Sequence, residues 1–154
     1  MVEEGKPAPD FELRTDEGET MRLSSLRGKP VVLYFYPKDD TPGCTTQACG
    51  IRDAYSKFRD RGAVVLGVSP DDAASHAKFK SKFRLPFTLL ADPEHTVAGQ
   101  YGVWVEKTLQ GKQQIGIERS TFVIDAEGNV AQAMRRVDPE THADQVLEAL
   151  AAGG

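Results

Sequence analysis

Cys44 and Cys49 are the only cysteines among 154 residues, and they stand five apart in Thr41-Pro42-Gly43-Cys44-Thr45-Thr46-Gln47-Ala48-Cys49. The stretch follows the apolar run Val31-Val32-Leu33-Tyr34-Phe35-Tyr36, so Cys44 is expected in the first turn of a helix that leaves a strand. Unpaired backbone N–H groups and the helix dipole at such a position favour a thiolate. A junction rich in Pro, Gly and Thr is also a poor place for an inert, packed cysteine. The chemistry this predicts is thiol redox, with Cys49 placed to trap Cys44 after oxidation. In an unbroken helix, residues five apart have Cα atoms ~8.6 Å apart, whereas a disulfide needs roughly 4.4–6.8 Å. Bonding therefore requires the first turns to unwind, and Gly50 with the β-branched Thr45-Thr46 pair lowers that cost.

Other groups would have to assist. The Thr41 hydroxyl could donate to a peroxide oxygen while accepting from a neighbour; a plain turn or cap role fits it equally well on sequence alone. Pro37 could shield the sulfur from water, although ending the preceding strand is sufficient reason for it. A cation near the thiolate would polarise an O–O bond, and Arg119 and Arg52 are the two candidates.

Several function classes are excluded. Two cysteines and three dispersed histidines (His76, His95, His142) do not complete a zinc site, and no metal, haem or flavin is required. The C-x4-C spacing is not the C-x2-C of dithiol oxidoreductases. A net charge of −4 gives no footprint for nucleic acid or an anionic membrane. No apolar run approaches the ~20 residues that span a bilayer, and Met1-Val2-Glu3-Glu4-Gly5-Lys6 is not a secretory leader. The expectation is a cytoplasmic protein of one domain over residues 1–154.

The elements that must position these groups follow from period and punctuation. Phe11 and Leu13, then Asp16-Glu17-Gly18, then Met21 and Leu23 predict an N-terminal hairpin, and Ser24 to Gly28 a short helical turn. Val31–Tyr36 and Ala63–Val68 read as strands buried on both faces. A helix is predicted to open at Pro42-Gly43-Cys44 and stop at Gly62, and a second to open at Ser69-Pro70-Asp71-Asp72 and run to Phe83. Phe87–Leu90 is a short strand; Asp92-Pro93-Glu94 opens a helix that ends near Tyr101-Gly102. Val103 to Val105 is read as strand and Gly111 to Gly116 as a loop. Thr121–Asp125 and Val130–Arg136 form a hairpin, and Asp138-Pro139 caps the last helix. This β-α-β-α-β-α order, closed by a hairpin and a helix, predicts an α/β thioredoxin-like fold with an N-terminal β extension and a helical insertion.

The run Tyr34-Phe35-Tyr36-Pro37-Lys38-Asp39-Asp40-Thr41-Pro42-Gly43-Cys44-Thr45-Thr46-Gln47-Ala48-Cys49 closely resembles the active-site segment of peroxiredoxins, in particular the bacterioferritin-comigratory-protein or PrxQ subfamily. The family pattern P-x3-T-x2-C falls on Pro37, Thr41 and Cys44, and Glu118-Arg119-Ser120-Thr121-Phe122-Val123-Ile124-Asp125 is similar to the arginine-bearing segment. The resemblance implies that Cys44 is the peroxidatic cysteine, Cys49 the resolving one, and Arg119 the cation in preference to Arg52. It implies a thiol peroxidase that reduces hydrogen peroxide and organic hydroperoxides through a Cys44–Cys49 disulfide, with thioredoxin or a similar dithiol as reductant. With the resolving cysteine on the same chain, a monomer suffices. Asp39 and Asp40, which would oppose a thiolate if they faced inward, are expected to face water. Two other classes remain open on the residues alone. A thioredoxin-type oxidoreductase would reduce insulin without peroxide. A redox-sensing binding domain would react with peroxide no faster than free cysteine.

Overall fold

In the computed structural model, which describes residues 2–109 and 111–153, seven strands form one sheet in the order β2 (Thr20–Arg22), β1 (Glu12–Thr15), β5 (Thr88–Ala91), β4 (Val64–Ser69), β3 (Val31–Phe35), β8 (Ser120–Ile124), β9 (Val130–Arg135). β3 (Val31–Phe35) lies at its centre, parallel to β4 (Val64–Ser69) and antiparallel to β8 (Ser120–Ile124). All five β3 residues are buried, which is why the strand reads as a continuous apolar run. Val31, Leu33 and Phe35 point into one core; Val32, Tyr34 and Tyr36 point into the other.

The second core is covered by α1 (Pro42–Asp53), α2 (Tyr55–Asp60), α3 (Ala73–Phe83) and α5 (His142–Gly153) through Ala48, Ile51, Phe58, Phe79, Val146 and Leu150. Each large apolar side chain buried here contributes about 1.5–3 kcal/mol. The first core is covered by α4 (Thr96–Gln100), Tyr101 and the N-terminal segment. β1 (Glu12–Thr15) and β2 (Thr20–Arg22) make the expected N-terminal hairpin, which joins the sheet through β5 (Thr88–Ala91). Together with the β8–β9 hairpin (β9, Val130–Arg135) this is the predicted thioredoxin-like α/β architecture.

The departures from expectation are local. The helix predicted from Pro42 to Gly62 is two helices, because Ala54 leaves helical geometry at φ −101°, ψ 9°. α3 begins after Asp72, whose carboxylate accepts from the Ser75 N–H at 2.8 Å. Ser69 does not cap it; its hydroxyl donates to Asp71 Oδ2 at 2.7 Å. The last helix likewise starts at His142, since Asp138 Oδ1 instead accepts from the Glu140 N–H within a turn. Residues read as a loop between Gly111 and Gly116 belong to β7 (Lys112–Ile117), which pairs with β6 (Trp104–Leu109) in a separate two-stranded sheet. Ile115 on this hairpin is exposed while Ile117 at its base is buried in the first core, and burial at the base alone does not impose the apolar alternation that would have signalled a strand. Trp104 of β6 is half-buried against the first core and stacks on His95 with ring centroids 3.8 Å apart.

Among the central strands one glycine is a steric requirement. A Cβ at Gly67 would lie 2.8 Å from the Tyr34 ring and 2.9 Å from Leu89, so β4 is bare where the β3 tyrosine crosses it.

Candidate active site

Pro37 terminates the central strand region and is half-buried at its exit. The chain then turns through Asp40, which adopts φ 57°, and reaches Thr41 as the N-cap of α1. The Thr41 hydroxyl does not close onto the helix; it donates to the Lys38 carbonyl at 2.9 Å, leaving the first N–H groups of α1 without a side-chain cap. Pro42 occupies the first turn, where a missing N–H costs nothing. Cys44 follows in that turn, only 2 % exposed. Its sulfur thus lies where backbone dipoles converge and water is largely excluded.

The guanidinium of Arg119 arrives from the segment that leads into β8, the strand beside β3. Its Nη2 donates to Cys44 Sγ at 3.4 Å, and its Nη1 donates to Gln47 Oε1 at 2.6 Å. Gln47 is fully buried one turn beyond Cys44, and its Nε2 has no partner among the described residues. The fork of one arginine therefore spans the thiol and the helix that carries it. Arg52 is elsewhere: its Nη1 donates to the Phe83 carbonyl at 2.8 Å and its Nε to Asp53 at 3.0 Å. Cys49 is a half-buried free thiol on the same unbroken helix, and Gly50 beside it faces Ala143 of α5 across 3.9 Å from its would-be Cβ.

The model of the AhpC/TSA family matches residues 4–133. The chain belongs to that family. Peroxiredoxin Bcp of Bacillus subtilis is 51% identical over 149 residues, covering 97% of this chain and 95% of that protein. The chloroplastic peroxiredoxin Q of Oryza sativa subsp. japonica is 46% identical over 152 residues, covering 97% of this chain and 67% of that one. A solved structure of peroxiredoxin Q from Xanthomonas campestris superposes with a TM-score of 0.89 at 42% identity, over 94% of this chain and 92% of that one. The chain is thus a peroxiredoxin of the Bcp/PrxQ type, a thiol peroxidase. No helix among the described residues is long and apolar enough to cross a membrane.

Gly43 lets the peroxiredoxin bring its arginine this close. A Cβ there would sit 3.2 Å from Arg119 Nη2, so a side chain must push the guanidinium outward. Gly43→Ala is expected to slow peroxide consumption roughly tenfold by displacing one charge-stabilising donor. Thermal stability should hold or rise, because Ala is a better helix residue by about 1 kcal/mol. Stopped-flow rates and a melting curve on the same preparation test the separation; a rate unchanged from wild type removes the steric argument.

Two buried groups near the site escaped the sequence. His142, at the start of α5, is fully buried; its Nε2 lies 2.6 Å from Thr121 Oγ1 and its Nδ1 has no partner among the described residues. Burial, then the positive charge of Arg119, depresses its pKa from 6.5 to about 4. Protons therefore prefer the unfolded chain in that window. The stabilisation is fully present above pH 6.5, is lost as pH falls toward 4, and changes little below. At about 1.4 kcal/mol per pH unit the loss is about 3 kcal/mol. His142→Gln should flatten the urea-unfolding stability between pH 6.5 and 4 by that amount; an unchanged slope would show that His142 does not set it.

Asp39 corrects an expectation. It is 7 % exposed and faces inward, while Asp40 is exposed and pairs with Lys82 at 2.8 Å. The inward carboxylate does not stand free: Tyr36, Ser75 and His76 all bond to it.

Proposed function

We propose that Cys44 is the peroxidatic cysteine and Cys49 the resolving cysteine of a monomeric, single-domain, cytoplasmic peroxidase recycled by thioredoxin. The observation that carries this reading is the donation of Arg119 Nη2 to the sulfur of Cys44 at the start of α1. Negative charge on that sulfur is favoured by the guanidinium and by the N-terminal end of the helix dipole. The thiolate attacks the terminal oxygen of ROOH; the O–O bond breaks, Cys44 becomes a sulfenic acid, and the alkoxide takes a proton to leave as ROH. Arg119 and the backbone N–H groups of the first turn stabilise the oxygen that gains charge, and Pro37 keeps water from the sulfur. The Thr41 hydroxyl, whose proton goes to the Lys38 carbonyl, orients the peroxide by accepting from its O–H rather than by donating as the sequence suggested.

Cys49 then condenses with the sulfenic acid, forming the S–S bond and releasing water. An unbroken α1 holds the two residues beyond bonding distance, so the helix must open before resolution. A dithiol reduces the disulfide by exchange and returns both thiols. Hydrogen peroxide and organic hydroperoxides are both proposed substrates. A relative from Xanthomonas campestris, 42% identical, is described by its alkyl peroxide reduction activity. Cytoplasmic placement rests on the use of two cycling thiols in a reducing compartment.

One equivalent of hydrogen peroxide added to the reduced protein should remove both thiols and yield a Cys44–Cys49 bond on tryptic mass mapping. Cys49→Ser should lose one thiol at the wild-type rate, expose a dimedone-reactive sulfenic acid, and stall with thioredoxin. Undiminished thioredoxin-linked turnover by that variant removes Cys49 from the cycle.

A further inference from the structure

The loop that delivers Thr41 and Cys44 is tied down at a single residue. Asp39 Oδ1 accepts from the Tyr36 hydroxyl at 2.5 Å, and Oδ2 accepts from the Ser75 hydroxyl at 2.8 Å. His76 Nδ1 lies 2.7 Å from the same Oδ2. His76 Nε2 is 2.8 Å from the Leu90 carbonyl, which only accepts, so Nε2 carries a proton. The Asp39 N–H donates to Asp71 Oδ2 at 2.7 Å, and the Tyr36 N–H to the Val68 carbonyl at 3.0 Å. Asp39 is thereby joined to the ends of β4 and β5 and to the first turn of α3, with His76 fully buried behind it.

One residue later the buried bonds of the loop end. Asp40 is exposed and left-handed at φ 57°, and pairs with the exposed Lys82 at 2.8 Å. The next side-chain bonds, from Thr41 to Lys38 and from Thr46 to Pro42, are both exposed; beyond them α1 is held from outside by Arg119, at Cys44 and Gln47. Buried charge-assisted bonds are costly to break because each leaves a desolvated group unpaired; exposed bonds exchange readily with water. Local opening follows such gradients.

We propose that Asp39, held by His76, Tyr36 and Ser75, is a positioning residue that keeps residues 36–39 fixed through the redox cycle, so that unwinding of α1 begins beyond Asp40. The inference rests on the Cys44–Cys49 cycle proposed above. A fixed post lets the helix rewind from an existing start rather than nucleate anew, and nucleation is the costly step of helix formation. It also returns Cys44 to Arg119 in one geometry each time.

Residue-resolved hydrogen exchange on the reduced and disulfide forms of the full chain tests the boundary. The amides of Tyr36 and Asp39 should keep their protection within about tenfold, while those of residues 45–48 lose at least about a hundredfold on oxidation. Loss of protection at Tyr36 and Asp39 together with 45–48 overturns the proposal. A kinetic arm needs no disulfide, so it decides the role of Asp39 even where the Cys44–Cys49 bond fails to form, a result that would count against the cycle instead. In a Cys49→Ser background, Asp39→Asn should slow oxidation of Cys44 at least about tenfold at temperatures well below melting. His76→Leu should do the same, and His76→Gln, which keeps a donor for Asp39, should recover most of the rate. A lowered melting temperature with an unchanged oxidation rate would mark the network as structural only and overturn the positioning role.

Discussion

Cys44→Ser should abolish peroxide consumption, with the second-order rate falling by at least ~10³-fold to that of buffer. A serine hydroxyl at neutral pH offers almost no anion, whereas the thiolate is both accessible in energy and strongly nucleophilic toward oxygen. The fold should survive the change. The site is only 2 % exposed, but a hydroxyl there can accept from the Arg119 guanidinium that now donates to the sulfur at 3.4 Å, so no buried donor is stranded. Melting temperature and circular dichroism close to wild type, together with loss of activity in a stopped-flow peroxide assay, is the expected pair of results. Substantial peroxide consumption by the variant would move the chemistry to another residue.

The second large effect concerns Arg119. Arg119→Met should reduce the rate by ~10²–10³-fold, the usual loss for removing a preorganised charged donor from a water-poor site. Arg119→Lys should recover only a small part. The guanidinium bonds Cys44 Sγ through Nη2 and Gln47 Oε1 through Nη1 at once; a single ammonium on a flexible stem cannot hold both geometries. Gln47 would then be a fully buried amide with neither end satisfied. The lysine variant should accordingly lose stability as well, by about 1–3 kcal/mol. Stopped-flow rates with hydrogen peroxide and urea unfolding read the two consequences separately. Full recovery by lysine would mean that charge alone matters and that the fork does not.

Much of the architecture is written locally. The five buried residues of β3 show their double-sided burial as an unbroken apolar run, and Pro42-Gly43 marks the start of α1 where it is observed. Signals of this kind are carried by residues within one turn or one strand of each other. The helix starts expected at Ser69 and Asp138 missed by several residues because the polar side chains there serve turns that precede the helix. Asp92 does bond the first turn of α4, accepting from the Val97 and Ala98 N–H groups at 3.3 and 2.9 Å, but α4 begins only at Thr96, after His95 turns left-handed at φ 51°. The β7 strand was missed because only its end, Ile117, enters the core while Ile115 is exposed, and burial is what writes the period of a strand into its residues.

The sequence by itself determined that two thiols sit on one helix, that the first of them begins it, and that bonding them requires the helix to open, because all three follow from spacing along one chain segment. The residues by themselves left Arg119 and Arg52 open; the family resemblance favoured Arg119, and the tertiary structure shows how it meets the sulfur. Arg119 is 75 residues from Cys44 in sequence and reaches it because β8 pairs with β3, while Arg52, eight positions along the same helix, is carried round to the Phe83 carbonyl. The structure alone also turned Asp39 inward onto His76 and set His142 against Thr121. Each of these contacts joins elements whose neighbourhood is fixed by sheet order, and no local pattern of residues encodes that order.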